Sequence, residues 1–114
     1  MLSQFSVVEA RNDTELVSFC ESLSCYQQPI QGNVGIITGS GGHGAMAVDV
    51  CADHGIPVPV LSEEIQEEIR SKLAPSIQSI ASVKNPIDLT GSAVDEDFFA
   101  VAKTLSATPE IDCV

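Results

Sequence analysis

The feature that most constrains this chain is Gly39-Ser40-Gly41-Gly42-His43-Gly44, set between the apolar run Asn33-Val34-Gly35-Ile36-Ile37-Thr38 and the helix-forming stretch Ala45–Ala52. A short β-branched run before a glycine turn and a helical pattern marks a strand-to-helix junction of an α/β fold. In open α/β sheets such junctions lie at the carboxyl edge of the strands, where ligands bind. Four glycines in six residues exceed what a tight turn needs. They let a ligand approach the main chain without meeting Cβ atoms. The helix beginning near Gly42 offers unpaired N–H groups and the positive end of its dipole, and Ser40 adds a hydroxyl. Such an anion site needs no cationic side chain, which suits a chain with 16 acidic and 5 basic residues.

Three readings of the glycine segment compete. It can be a tight turn alone. It can be a dinucleotide site, because Gly39-x-Gly41-x-x-Gly44 satisfies GxGxxG and Glu63 or Glu64 follows near the ribose-reading position. It can also hold a phosphate or phosphoryl group without a nucleotide. No Gly-Lys-Ser/Thr follows, so a Walker A loop is excluded.

Around this segment the chain alternates strand and helix patterns. Phe5–Val8 reads as a short extended segment, and Asn12–Thr14 offers caps for a helix over Glu15–Leu23, which Pro29 and Gly32 end with a loop. The helix after the glycines closes at His54-Gly55, with Gly55 as the left-handed C′ residue. Pro57–Leu61 reads as a second strand with a limited ladder, since its two prolines lack amide donors. Ser62 is expected to cap a third helix, with Ile65, Ile69 and Leu73 on its apolar face. Glu63, Glu64, Glu67 and Glu68 read as a solvated face of it. Pro75 is expected to open a loop running to Gly91, followed by a helix over Asp95–Ser106 and a strand opening at Ile111–Val114. Asn85, Asp88 and Thr90 around Pro86 read as an Asx-type turn that can support the glycine loop. Asp49, one turn further into its helix, reads as structural.

Composition excludes several classes. A net charge of −11 repels nucleic-acid backbones and anionic membrane surfaces. No apolar run approaches the ~20 residues of a membrane span, and the first ten residues lack a signal-peptide pattern. A cytoplasmic location is therefore expected, with Cys20, Cys25, Cys51 and Cys113 reduced and in or near the core. The spacing points to no metal site.

Thr38–Asp49, with His54-Gly55 and Leu61–Glu64 following, resembles the NDP-forming acyl-CoA synthetases, of the ADP-forming acetate–CoA ligase type within the succinyl-CoA synthetase superfamily. Val83–Gly91 resembles a second block of that family, and the likeness runs from about Phe5 to the last residue. It implies a flavodoxin-like three-layer α/β/α sandwich with a mainly parallel sheet, the third domain of the α-type subunit. Residues 1–31 would form a leading segment and 32–114 a core cut short at its C-terminal end. Family members interconvert acyl-CoA, NDP and phosphate with acid, CoA and NTP through a phosphorylated histidine on a mobile loop. The resemblance places Ser40, Gly41, Gly42, His43 and Gly44 in the cradle for that phosphate. CoA, ATP or ADP and Mg2+ would be held by CoA-binding, phosphohistidine and ATP-grasp domains, the expected partners, and not by this domain alone. The family usually has proline where His43 stands and asparagine where Gly39 stands. Nothing in the chain matches the phosphohistidine loop, so His43 is read as an accessory phosphate contact or a tolerated substitution, with phosphoryl carrier as the alternative. A dinucleotide-binding oxidoreductase domain and a non-catalytic scaffold of the same fold stay open.

Overall fold

The computed structural model describes residues 8–25 and 32–114, which fall into two compact units, Met1–Ile30 and Gln31–Val114. In the first unit helix α1 spans Asp13–Cys25. Its start is capped reciprocally: Asn12 Oδ1 accepts the Glu15 N–H at 2.8 Å, and Glu15 Oε2 accepts the Arg11 N–H at 2.7 Å. Cys20 and Cys25 lie exposed on α1, contrary to the expectation of a core position, because α1 buries none of its own residues. All four cysteines are free thiols, with Cys51 and Cys113 half-buried. Most of Phe5–Val8, and the Pro29 stop, lie outside the described residues.

The second unit runs β1 (Ile37–Thr38), α2 (Gly41–Asp53), α3 (Glu63–Lys72), α4 (Pro75–Gln78), β2 (Ile87–Asp88) and α5 (Asp95–Ser106). The strands pair in parallel, Ile37 opposite Ile87 and Thr38 opposite Asp88. Side chains alternate between faces along a strand, and the pairing sorts them. Ile37 and Ile87 turn to the apolar core, where Leu89, Ile69, Leu73, Val101 and Leu105 are also buried. Thr38 and Asp88 turn the other way, against the first turn of α2. The result is a layered α/β unit: α2 on one face of a small parallel sheet, and α5, packed on α3, on the other.

Three expectations need correction. Pro57–Leu61 forms no strand. The prolines at 57 and 59 carry no N–H, so the segment makes isolated main-chain pairings, the Pro57 carbonyl to Val34 N–H and the Leu61 N–H to the Lys84 carbonyl, and no ladder. The segment after Pro75 is no plain loop, since Pro75 sits at the first position of a short helical turn that buries Ile77. Ile111–Val114 pairs only through one parallel bridge, Cys113 to Val34. Ser62 stands at the N-cap of α3 as expected, but its side chain makes no cap bond; its carbonyl accepts the Gln66 N–H at 3.0 Å. Among the described residues no helix is long and apolar enough to cross a membrane.

The α3–α5 half is fastened by one buried carboxylate. Asp97, 4% exposed, accepts the Val94 N–H at 3.1 Å, capping its own helix, and the Ala74 N–H at 2.8 Å, which ties the end of α3 to the start of α5. Asp97→Ala leaves both amides without that acceptor. The expected loss is about 2–3 kcal/mol in urea denaturation, since a charged acceptor and a cap are removed together.

Candidate functional site

The site grows from the end of β1. Thr38, on the α2 face, donates its hydroxyl to the Ser40 carbonyl at 3.1 Å and accepts the Ser40 N–H at 3.1 Å. This closed loop holds Ser40 extended, at φ −154° and ψ 121°, as the N-cap of α2. The Ser40 carbonyl then accepts the Gly44 N–H at 3.0 Å and starts the helix. Ser40 makes no side-chain cap bond, so its hydroxyl does not take up the first amides of the helix. Among the described residues the N–H groups of Gly41, Gly42 and His43 donate to no acceptor, and all three residues are solvent-exposed. Three unengaged, exposed amides at a positive helix end form a donor set suited to an oxyanion.

The glycines differ in what surrounds them. A Cβ on Gly44, the one buried residue of α2, would stand 3.2 Å from Thr38 Cγ2 and 3.3 Å from Pro86 Cβ. Gly44 thus lets the first turn press onto the sheet. A Cβ on Gly39 would stand 3.4 Å from the Thr90 carbonyl oxygen, where the loops after β1 and β2 meet. Beside Gly42 there is room, its nearest neighbour being Ser40 Oγ at 3.9 Å.

The second cluster divides. Asp88 and Thr90 form the expected Asx-type turn, Asp88 Oδ1 accepting the Thr90 N–H at 2.9 Å. The other oxygen of Asp88 lies 3.1 Å from the position a Gly41 Cβ would take, so this carboxylate stands at the edge of the amide cluster. Asn85 does not join that turn. It is buried, its Oδ1 accepts the Ile36 N–H at 2.9 Å, and its Nδ2 donates to the Val34 and Pro59 carbonyls, each at 2.9 Å. It stitches segments of the sheet and is not available to a ligand. His43 is exposed on the first turn of α2, and Asp49 is exposed one to two turns on. Glu63, Glu64, Glu67 and Glu68 are exposed on α3 as expected, and no acidic, histidine and cysteine group among the described residues could hold a metal.

Sequence reasoning missed the role of Thr38. The signal was present in strand alternation: with Ile37 facing the core, Thr38 must face the helix that the glycines launch.

A glycine-built helix start at the carboxyl edge of parallel strands occupies the place where open α/β sheets bind ligands. No family model matches the chain. It is, however, 36% identical over 111 residues to the ADP-forming acetate–CoA ligase II subunit alpha of Pyrococcus furiosus, covering 96% of this chain and 23% of that protein. It is also 36% identical over 111 residues to the ADP-forming acetate–CoA ligase I of Archaeoglobus fulgidus, covering 97% of this chain and 15% of that one. Among solved structures, a protein of Pyrococcus horikoshii matches with a TM-score of 0.78 and 34% identity, over 98% of this chain and 26% of its own. The acetyl-coenzyme A synthetase 1 of Ca. Korarchaeum cryptofilum, solved with phosphate and ADP, matches with a TM-score of 0.76 and 27% identity, over 97% of this chain and 23% of its own. The chain belongs to the ADP-forming acetate–CoA ligase family and spans at most about a quarter of the length of these relatives.

Proposed function

We propose that this chain acts within an NDP-forming acyl-CoA synthetase as the domain that holds a phosphoryl group in transit. The observation that carries the reading is the trio of unengaged amides at Gly41, Gly42 and His43. The parent reaction converts acyl-CoA, NDP and phosphate into free acid, CoA and NTP, reversibly. The contribution of this domain is electrostatic: fixed N–H donors and a helix end meet the charge of a phosphoryl group without reorganising. Ser40 supplies a hydroxyl and the His43 side chain an accessory contact. A histidine on another segment carries the phosphoryl group, and other domains hold CoA, nucleotide and Mg2+. The Asp88 carboxylate at the rim adds a like-charge cost, which keeps phosphate affinity low and suits a group that must be released. The relatives named above are ligases and synthetases, which favours this reading over a dinucleotide-dependent oxidoreductase.

The reading is tested by exchanging this chain for the matching segment of the Pyrococcus furiosus subunit. ATP formation from acetyl-CoA, ADP and phosphate is then measured, with and without Gly41→Pro. Position 41 is the first of the helix, where proline is favoured, and Ser40 is already extended, as a residue before proline must be. The substitution therefore removes one donor while the helix persists; only the 3.1 Å approach to Asp88 must relax. Loss of one preorganised donor should lower kcat roughly 10- to 100-fold. A chimera whose rate ignores the proline, with α2 intact by circular dichroism, contradicts the assignment.

A further inference from the structure

Away from the glycine loop, the outer seam between α3 and α5 forms an open groove of about 350 Å3. It is lined by Glu68 and Lys72 on α3, by Phe99, Ala100, Lys103 and the buried Thr104 on α5, and by the exposed Ala107 just beyond that helix. We propose that this groove docks an acidic segment of a partner protein, which sets one bulky apolar side chain against Phe99 and its carboxylates against Lys72 and Lys103.

Two observations select that chemistry. The first is Phe99. The chain has only four phenylalanines, and while Phe98 packs against the core, Phe99 is 70% exposed on the rim of the groove. An exposed aromatic in a groove it shares with small side chains has the form of an interface anchor. The second is charge. Against 16 acidic side chains the chain has five basic ones, and two of them, Lys72 and Lys103, line this groove. Arg70 is tied back to the Gln78 carbonyl. Lys72 is matched by Glu68 at 2.5 Å and donates to Thr104 Oγ1 at 3.0 Å, whereas Lys103 makes no ion pair among the described residues. The groove thus keeps a positive surplus on a strongly negative molecule. This surplus, one unmatched charge at Lys103 beside the Lys72–Glu68 pair, is too small to hold a nucleic acid or an anionic membrane against a net charge of −11, but at close range it steers and orients a carboxylate, with Lys72 as a second, shared donor. The open, shallow form suits a peptide surface better than an enclosed metabolite.

The test uses the full chain, labelled with 15N, and a capped helical peptide of Glu, Ala and Leu with a single leucine stripe; its Lys-for-Glu counterpart is the control. The Glu peptide should move the amides of Phe99, Ala100, Lys103 and Thr104 saturably below about 1 mM. Phe99→Ser and Lys103→Glu should each weaken binding roughly 10-fold, and added salt should weaken it further. Both side chains are exposed, so the variants keep the fold and their spectra report it. The proposal is overturned by no saturable shift at about 1 mM, by equal binding of the Lys peptide, or by binding indifferent to both substitutions. Groove shifts that follow protein concentration without peptide would assign the face to a second copy of the chain, and overturn it likewise.

Discussion

Asn85→Ala should lower the free energy of unfolding by about 3–5 kcal/mol, a large part of the stability of a domain this size. The Asn85 side chain is 6% exposed and makes three hydrogen bonds, each at 2.9 Å, to the Ile36 amide and to the carbonyls of Val34 and Pro59. Removing it strands three half-buried main-chain groups, two beside β1 and one at Pro59, and each such group costs about 1–3 kcal/mol when left unmade. The backbone adds to the loss, because Asn85 sits at φ 81°, a conformation asparagine tolerates better than alanine. Asn85→Asp separates the terms: it keeps the acceptor for Ile36 but turns an oxygen toward the two carbonyls. It should therefore also destabilise, by at least about 2 kcal/mol. Urea titration with unchanged slope reads both numbers. A loss below about 1 kcal/mol for the alanine variant would mean that the sheet does not depend on this side chain.

Gly44→Val should harm both stability and ligand binding. Its Cβ would meet Thr38 Cγ2 at 3.2 Å and Pro86 Cβ at 3.3 Å, and the branched methyls have no room on the sheet side of α2. Forced overpacking of this kind costs about 1–3 kcal/mol. The helix relieves it by lifting, which carries the Gly41, Gly42 and His43 amides away from Thr38 and Ser40. Phosphate binding should fall at least roughly 10-fold, the equivalent of one well-made charged hydrogen bond. Gly44→Ala, with a single added carbon, should lie between the two. A valine variant that melts and binds as the parent does would show that α2 is not seated against the strand as described.

The glycine loop was readable because its chemistry is local. Strand, turn and helix follow one another, and the exposed amides are a property of any helix start that its own N-cap leaves open. Thr38 was readable in principle from alternation with Ile37. The role of Asn85 was not, because its partners at 34, 36 and 59 are brought near only by the fold. The segment at Pro57 and Pro59 shows the reverse case, where β-branched residues suggested a strand and missing amides prevented the ladder. Exposure at Cys20 and Cys25 escaped pattern reasoning because apolar spacing on α1 says which residues could be buried, and not whether anything in its own unit covers them. Phe99 likewise sits in an apolar run in which Val101 and Leu105 are fully buried and Phe98 half-buried, and only the packing of α5 on α3 turns it outward.

A phosphate titration of the 15N-labelled chain, followed amide by amide, bears most directly on the functional reading. Saturating shifts confined to Gly41, Gly42 and His43, with Ser40 and Gly44 moving less and a Kd in the range of about 1 mM or below, are what the unengaged amides predict. Still amides at 41–43, or shifts that instead gather at Lys72 and Lys103, would show that the helix start does not take up the oxyanion and would leave only the fold and the family standing.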